Sequence, residues 1–446
     1  MREKRLFKNS GGFLSFWVIA WILGAAVPGG AAPISIFRRI ELDKTLIPVQ
    51  GSSPELGDED LEAFSDLGNL EIVGLGEATH GTKEFFEMKH RIFAYFVARH
   101  GTRAFGFECD FGESIFLDRY VTRGEGNLKA LMSEKMHFWT WHTEEVRTLL
   151  EWMRTYNDGR PEDEKIHYLG FDCQFATFQA SLLREYIQRF MPEIPPSIEA
   201  ILSEAGSLKQ VLQGSNFSSS QRDEWAAKFE VLGRFLVENE AAARSVLGRW
   251  DYELAGRLIR AAIQAFQVRF ETKNGIPSSR DFFMAENALW MERLFQGGGP
   301  LVLWAHNGHV AKDPGYGGGS MGCFLQKELG PGYQVAGFSF GRGSFTAVGD
   351  TSFGVKTITD DPLGGSVNHL FDRAWSDDFI LRLDRLNPGG PLISWLRTPR
   401  LFFSVGAYYN GQPNFWYAKK DILGLYDILI HFSDTHAAEQ MSRSSL

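Results

Sequence analysis

The turn Gly74-Leu75-Gly76-Glu77-Ala78-Thr79-His80-Gly81 sets a glutamate and a histidine three residues apart between glycines. A histidine can take a proton from water near neutral pH, and a glutamate beside it can orient or polarise the ring. The apolar run before the pair, Asn69 to Val73, reads as a buried strand. The pattern after it, from about Thr82 to Arg99, reads as a helix, with Phe85, Met88, Ile92 and Phe96 at helical spacing. A Glu–His pair at the C-terminal end of a strand stands where open α/β sheets bind their ligands. A motif this short also fits a plain turn with a surface imidazole, so its weight depends on the other strand ends.

Three more apolar runs finish on polar groups. Ala104–Phe107 leads to Glu108, with Asp110 following; Tyr168–Phe171 leads to Asp172; Leu301–Ala305 leads to His306-Asn307-Gly308-His309. One acidic residue after a strand means little, because turns favour Asp. Three histidines and several carboxylates over four strand ends go beyond turn chemistry. Parallel strands bring their C-terminal ends to one edge, so Glu77, His80, Glu108, Asp172, His306 and His309 are expected to converge. The same imidazoles and carboxylates could ligate Zn²⁺ or Mn²⁺, which would make a metal-dependent hydrolase or peptidase the alternative. A non-catalytic binding protein of the cell envelope is a third reading, but it does not require an intact Glu77–His80 pair. The primary expectation is no metal and no cofactor.

The elements that must carry these groups are strands at Leu70–Leu75, Thr102–Glu108, Lys165–Asp172, Pro300–Ala305, Tyr333–Phe340, Phe379–Leu383 and Leu425–His431. Helical patterns separate the early ones, and a second clear helix runs from Thr143 to Tyr156. The alternation predicts an α/β fold: a mainly parallel sheet with flanking helices. From about Phe175 to Phe295 helix patterns replace strand signals, broken by the polar stretch Gly214–Ser220, so a helical insertion or cap is expected there. Pro33 to Gly68 reads as irregular.

The chain has 446 residues, 44% of them hydrophobic, enough to bury a core. Its net charge of −9 excludes a nucleic-acid partner, which would need concentrated Lys and Arg. Residues 1–32 form a basic start (Arg2, Lys4, Arg5, Lys8), an uncharged, mostly apolar stretch from Gly11 to Val27, and then small residues. That layout predicts a signal peptide, export to the periplasm or exterior, and a mature domain over 33–446. An uncleaved anchor is the alternative, and the only expected contact with a membrane. Cys109, Cys173 and Cys323 are too few for a disulfide framework. Buried free thiols are expected at Cys109 and Cys173, with a Cys109–Cys173 disulfide as the minor alternative.

From about residue 60 to 435 the chain resembles the erythromycin esterase family. The resemblance rests on Gly76-Glu77-Ala78-Thr79-His80-Gly81, Met88-Lys89-His90-Arg91, Phe107-Glu108, Tyr156-Asn157, Gly170-Phe171-Asp172, Arg280-Asp281 before Met284-Ala285-Glu286-Asn287, and Trp304-Ala305-His306-Asn307-Gly308-His309. It implies hydrolysis of an ester, with macrolide lactones as the named substrate and macrolide resistance as one outcome. It implies that His80 is the base and Glu77 its orienting partner, with Glu108, His306 and His309 completing the polar floor. It implies substrate or oxyanion contacts from Arg280, and a basic residue at Lys89 that in the family is often Arg. Lysine there keeps the charge and loses the planar fork. His142 falls where many relatives have Arg, and its role stays open. No Gly-x-Ser-x-Gly elbow is read and no serine nucleophile is expected, so direct attack by water is the simpler route. Lys89, Arg91, Arg280 or a protonated His306 or His309 would then supply the oxyanion donors.

Overall fold

The structure, a computed structural model, describes residues 36–214 and 216–441. The export segment therefore lies outside the described residues. Among those described, no helix is long and apolar enough to cross a membrane.

The strands in chain order are β1 (Ile47–Pro48), β2 (Ile72–Leu75), β3 (Ala104–Asp110), β4 (His167–Asp172), β5 (Leu301–Trp304), β6 (Tyr333–Val348), β7 (Phe353–Ile358), β8 (Phe379–Arg382), β9 (Arg400–Phe403), β10 (Tyr417–Lys420) and β11 (Ile428–Thr435). Nine of them form one sheet in the order β1-β8-β11-β6-β2-β5-β3-β4, with β7 paired to β6; β9 and β10 form a separate ribbon. The centre is parallel: β11 with β6, β6 with β2, β2 with β5, and β5 with β3. The edges β8, β1 and β7 run antiparallel. Every residue of β2, β3, β4 and β5 is buried, which is why these strands read as continuous apolar runs rather than alternating ones. The fold is α/β with a mostly parallel sheet, as the alternation predicts.

The order in which the chain lays down strands positions the site. After β2 the chain moves outward to β3 and β4, returns as β5 between β2 and β3, and then adds β6 on the other side of β2. The loops leaving β2 and β5 are thus neighbours at a point where the strand order reverses. Register does the rest: Trp304 lies opposite Leu75 on one side and Phe107 on the other. Glu77 and His306, each two residues further on, have left the sheet at the level of Glu108, one residue further along β3.

By contact the chain divides into two compact units. The larger comprises the described residues before Asp110, Ser114–Phe171, and those from Ala285 onward, and holds the sheet. Its helix Lys83–His100 follows the Glu77–His80 turn and buries Phe85, Phe86, Met88, Ile92, Phe93 and Phe96. Gly101, in the left-handed region at φ 71°, ends that helix, a conformation glycine adopts without strain. The smaller unit comprises Asp110–Glu113 and Asp172–Met284. Its helices include Gln179–Phe190, Ser219–Glu238 and Glu240–Asn274. Trp225, Phe229 and Phe266 pack in its core. Ser218 and Gln221 start one helix with reciprocal side-chain and backbone bonds, and Gly248 at φ 74° kinks the longest.

Two expectations change. The stretch read as irregular holds a helix, Ile36–Thr45, packed against the helix Pro391–Leu396, and turns of 3₁₀ helix over Glu59–Asn69. Ile36, Phe37 and Ile40 are exposed and only Leu42 is fully buried, so the first helix lacks the apolar stripe that would announce it. The strands β1, β7, β9 and β10 escape the sequence for a related reason. They are short or lie at edges, and β7 alternates exposed and half-covered residues. Cys109 and Cys173 are both buried free thiols.

Candidate active site

Glu77 is fully buried, and its carboxylate meets partners that are charged or strongly polar. Oε1 meets His80 Nδ1 at 2.6 Å; Oε2 accepts from Lys89 Nζ at 2.5 Å and from Trp304 Nε1 at 2.7 Å. Burial alone would raise its pKa, but the Lys89 charge and the hydrogen bond from His80 outweigh that and hold it at about 2. An ionised Glu77 can only accept, so His80 carries its proton on Nδ1 and presents a basic lone pair on Nε2. The His80 side chain is 15% exposed, whereas that of Glu77 is wholly covered.

Lys89 sits behind this pair, shielded from solvent. Its side chain is fully buried and its ammonium lies 4.3 Å from the Trp304 ring centre, with Phe338 and Phe86 further out. Desolvation lowers its pKa to about 8 against the opposing pull of Glu77. Lys89 occupies a position in the apolar stripe of its helix, between Phe85 and Ile92; a charge within such a stripe is the sequence signal that it has a buried partner. Arg91 is committed elsewhere, to Asp60 and to the carbonyls of Gly51 and Gly57. The expectation that Lys89 and Arg91 face an oxyanion is corrected accordingly.

The floor continues from β3 and β5. Glu108 accepts the His306 backbone N–H at 2.9 Å and meets His309 Nε2 at 3.3 Å. The rings of His80 and His306 lie 5.0 Å apart. His306 Nδ1 accepts the Gly308 N–H at 3.1 Å, so its proton is on Nε2, facing the Val405 carbonyl and Ser404 Oγ at 3.2 Å each. Desolvation, with His80 and His309 beside it, lowers the His306 pKa to about 3. A protonated His306 is therefore not the resident form, and the donor role considered for it falls away. Tyr316 stands edge-on to His309 with ring centres 5.4 Å apart.

Two residues lock the loops to the sheet. The buried Asn307 side chain donates to the Phe338 carbonyl at 2.7 Å and accepts the Phe338 N–H at 3.0 Å, joining the β5 loop to β6. Val405 donates its N–H to the Ala78 carbonyl at 2.7 Å and offers its own carbonyl to His306, tying the Glu77–His80 turn to the imidazole floor. Gly76 is needed for close approach: a Cβ there would lie 2.1 Å from Asn307 Oδ1. The sequence motifs reveal neither Trp304, Ser404 nor Val405 as site residues. An apolar residue in a strand and two in a loop carry no chemical signature; their roles come from register.

Asp172 and Arg280 lie in the smaller unit. Arg280 makes a two-pronged bond to Asp172, Nε–Oδ1 2.9 Å and Nη2–Oδ2 2.8 Å, buried on both sides. His142, whose role stayed open, meets the Met136 carbonyl through Nε2 at 3.0 Å. The Gly-x-Ser-x-Gly pattern does occur twice, at Gly337–Gly341 and Gly318–Gly322, which corrects the sequence reading. Neither serine sits at a strand-to-helix elbow. Ser339 is buried inside β6, bonded to His431 Nδ1 at 2.9 Å, and Ser320 caps the helix Met321–Leu329. Among the described residues no three His, Cys, Asp or Glu side chains are gathered to hold one metal ion. A cavity of about 600 Å³ near Lys83, Glu84, Thr346 and Gln440 begins three residues past His80, and His80 does not line it.

The family model for erythromycin esterase matches residues 97–435. This chain belongs to the erythromycin esterase family. The matched stretch contains Glu108, His306 and His309 and begins after the Glu77–His80 turn. An erythromycin esterase type II of Escherichia coli is 24% identical over 353 residues, spanning 72% of this chain and 83% of its own. A succinoglycan biosynthesis protein superposes with a TM-score of 0.79 at 24% identity, covering 92% of this chain and 100% of its own. A mutant erythromycin esterase in its open conformation superposes with a TM-score of 0.64 at 17% identity, over 90% of this chain and 98% of its own. At these identities the structural likenesses establish the fold of this family member.

Proposed function

We propose that the protein hydrolyses a carboxylic ester by direct attack of water, with His80 as the base. The observation that carries this reading is the 2.6 Å bond from His80 Nδ1 to a buried, ionised Glu77. It fixes the tautomer and leaves Nε2 to take a proton. In the forward step Nε2 removes a proton from water as its oxygen attacks the ester carbonyl. In the collapse of the tetrahedral intermediate the imidazolium returns that proton to the departing alkoxide. Glu77 stabilises the imidazolium, and Lys89 keeps Glu77 from taking the proton itself. Glu108 anchors His309 and the His306 backbone, so the floor opposite His80 is held from β3. Membership in the family supports an ester as substrate. A macrolide lactone is the first candidate, and the spread of names among structural neighbours calls for other esters beside it.

The test is single-turnover hydrolysis in ¹⁸O-labelled water, run on a macrolide lactone and a panel of simple esters. Label is expected in the product acid in the first turnover, with no burst of alcohol before steady state. A trapped acyl-enzyme, or label in a protein carboxylate, overturns direct attack. Activity abolished by chelator and restored by Zn²⁺ or Mn²⁺ overturns the cofactor-free form of the reading.

A further inference from the structure

We propose that Trp304 is a positioning residue whose indole N–H locks the Glu77 carboxylate in the orientation that serves His80; this rests on the reading of His80 as the base. Trp304 ends β5, and its ring is caged by Phe86 and Phe107 at 4.9 Å and Trp141 at 5.6 Å between ring centres. A ring so enclosed cannot turn, and its N–H direction is fixed by packing. A buried indole N–H needs an acceptor, and the one it has is Glu77 Oε2 at 2.7 Å.

The division of the carboxylate explains why a second donor matters. Oε2 takes Lys89 and Trp304, and Oε1 is left to His80. Lys89 alone is a point charge on a flexible four-carbon stem, able to swing between both oxygens and to compete with His80 for Oε1. The fixed indole adds a direction that the ammonium lacks. Its π face also lies nearest the ammonium, at 4.3 Å against 5.5 Å for Phe338 and 5.9 Å for Phe86, so the same ring holds the cation in place. Strand β5 thus reaches the base on β2's loop through one side chain, without touching the reacting atoms.

The test is Trp304→Phe in the full chain, which keeps the aromatic packing and deletes the donor. A loss in kcat of about 10–100-fold with KM little changed is expected, the usual size for removing an outer partner of a functional group. Phe371→Leu, a core truncation among Phe379 and His431 outside the cage, should leave kcat near wild type. In a Glu77→Gln background Trp304→Phe should cost nothing further, because the group it orients has changed. The low-field ¹H resonance of the His80 Nδ1 proton should move in Trp304→Phe and stay in Phe371→Leu. Wild-type kcat in folded Trp304→Phe, or an equal loss in both backgrounds, overturns the proposal; if that variant does not fold, Trp304→Tyr is judged by the same criteria. His80→Ala is measured alongside: wild-type turnover there overturns the base assignment itself, which separates the two failures.

Discussion

At the scale of single residues, the site is a base held by charge at one remove. His80→Ala should keep the fold and lower turnover by at least ~10²-fold, the size of lost base catalysis; steady-state kinetics on the substrate found by the ester panel checks this. Lys89→Met strands a buried carboxylate and should cost roughly 3–5 kcal/mol in denaturant unfolding. The pH dependence follows from the same pair. Glu77 lies at about 2 in the fold against an ordinary value of 4.5, so its stabilising contribution is complete above 4.5 and drains away as the pH falls from there towards 2. The stability gap between wild type and Glu77→Gln should narrow over that window in acid unfolding. Lys89, lowered to about 8, loses its charge on the alkaline side, so activity should decline above about pH 8. Lys89→Arg should remove that decline, since a guanidinium stays protonated. The chemistry of Glu77, His80, Glu108, His306 and His309 is legible in the sequence because each follows an apolar run. The direction in which Lys89 points is not, since residue type alone does not say whether a cation faces a ligand or another side chain.

Secondary elements explain how much more was readable. Strands β2, β3, β4 and β5 show as unbroken apolar runs because both faces are covered, and the helix Lys83–His100 shows its period because one face is. The pairing of β5 between β2 and β3 is not written in any local pattern. It comes from long-range packing, and it alone makes Trp304 a neighbour of Glu77. Glycines mark where elements touch most closely. Gly81 lies against β6: its carbonyl accepts the N–H groups of Thr346 and Ala438 at 2.9 Å each, and a Cβ would come 2.3 Å from the Thr346 carbonyl oxygen. Gly81→Ala should therefore push the turn off the sheet, costing about 1–3 kcal/mol as overpacking does, with kcat falling more than stability because His80 is the adjacent residue. Thermal unfolding and kinetics on the same preparation separate the two effects.

For the whole molecule, the N-terminal layout leads us to propose export. Mass spectrometry of protein recovered from the cell envelope should find residues up to about Ala32 removed, while an intact Met1 would instead indicate an anchor. An exported enzyme must outlast its environment without resynthesis, which gives the Asn307 clasp a second meaning. Asn307-Gly308 is the dipeptide in which a glycine nitrogen most readily attacks the preceding side-chain amide and converts it to an acid. In the fold both reactants are occupied: the Gly308 N–H is bound to His306 Nδ1, and the Asn307 side-chain Oδ1 to the Phe338 N–H. The clasp is therefore also a chemical preservative of itself. Once the chain unfolds the protection ends, and an aspartate or isoaspartate at this position would lack the amide N–H that the Phe338 carbonyl accepts, so refolding would meet a buried carboxylate against a carbonyl. Heat inactivation should become irreversible on the timescale of deamidation at Asn307 rather than of aggregation alone, and peptide mapping of heat-aged protein should find the acid at that residue in the inactive fraction.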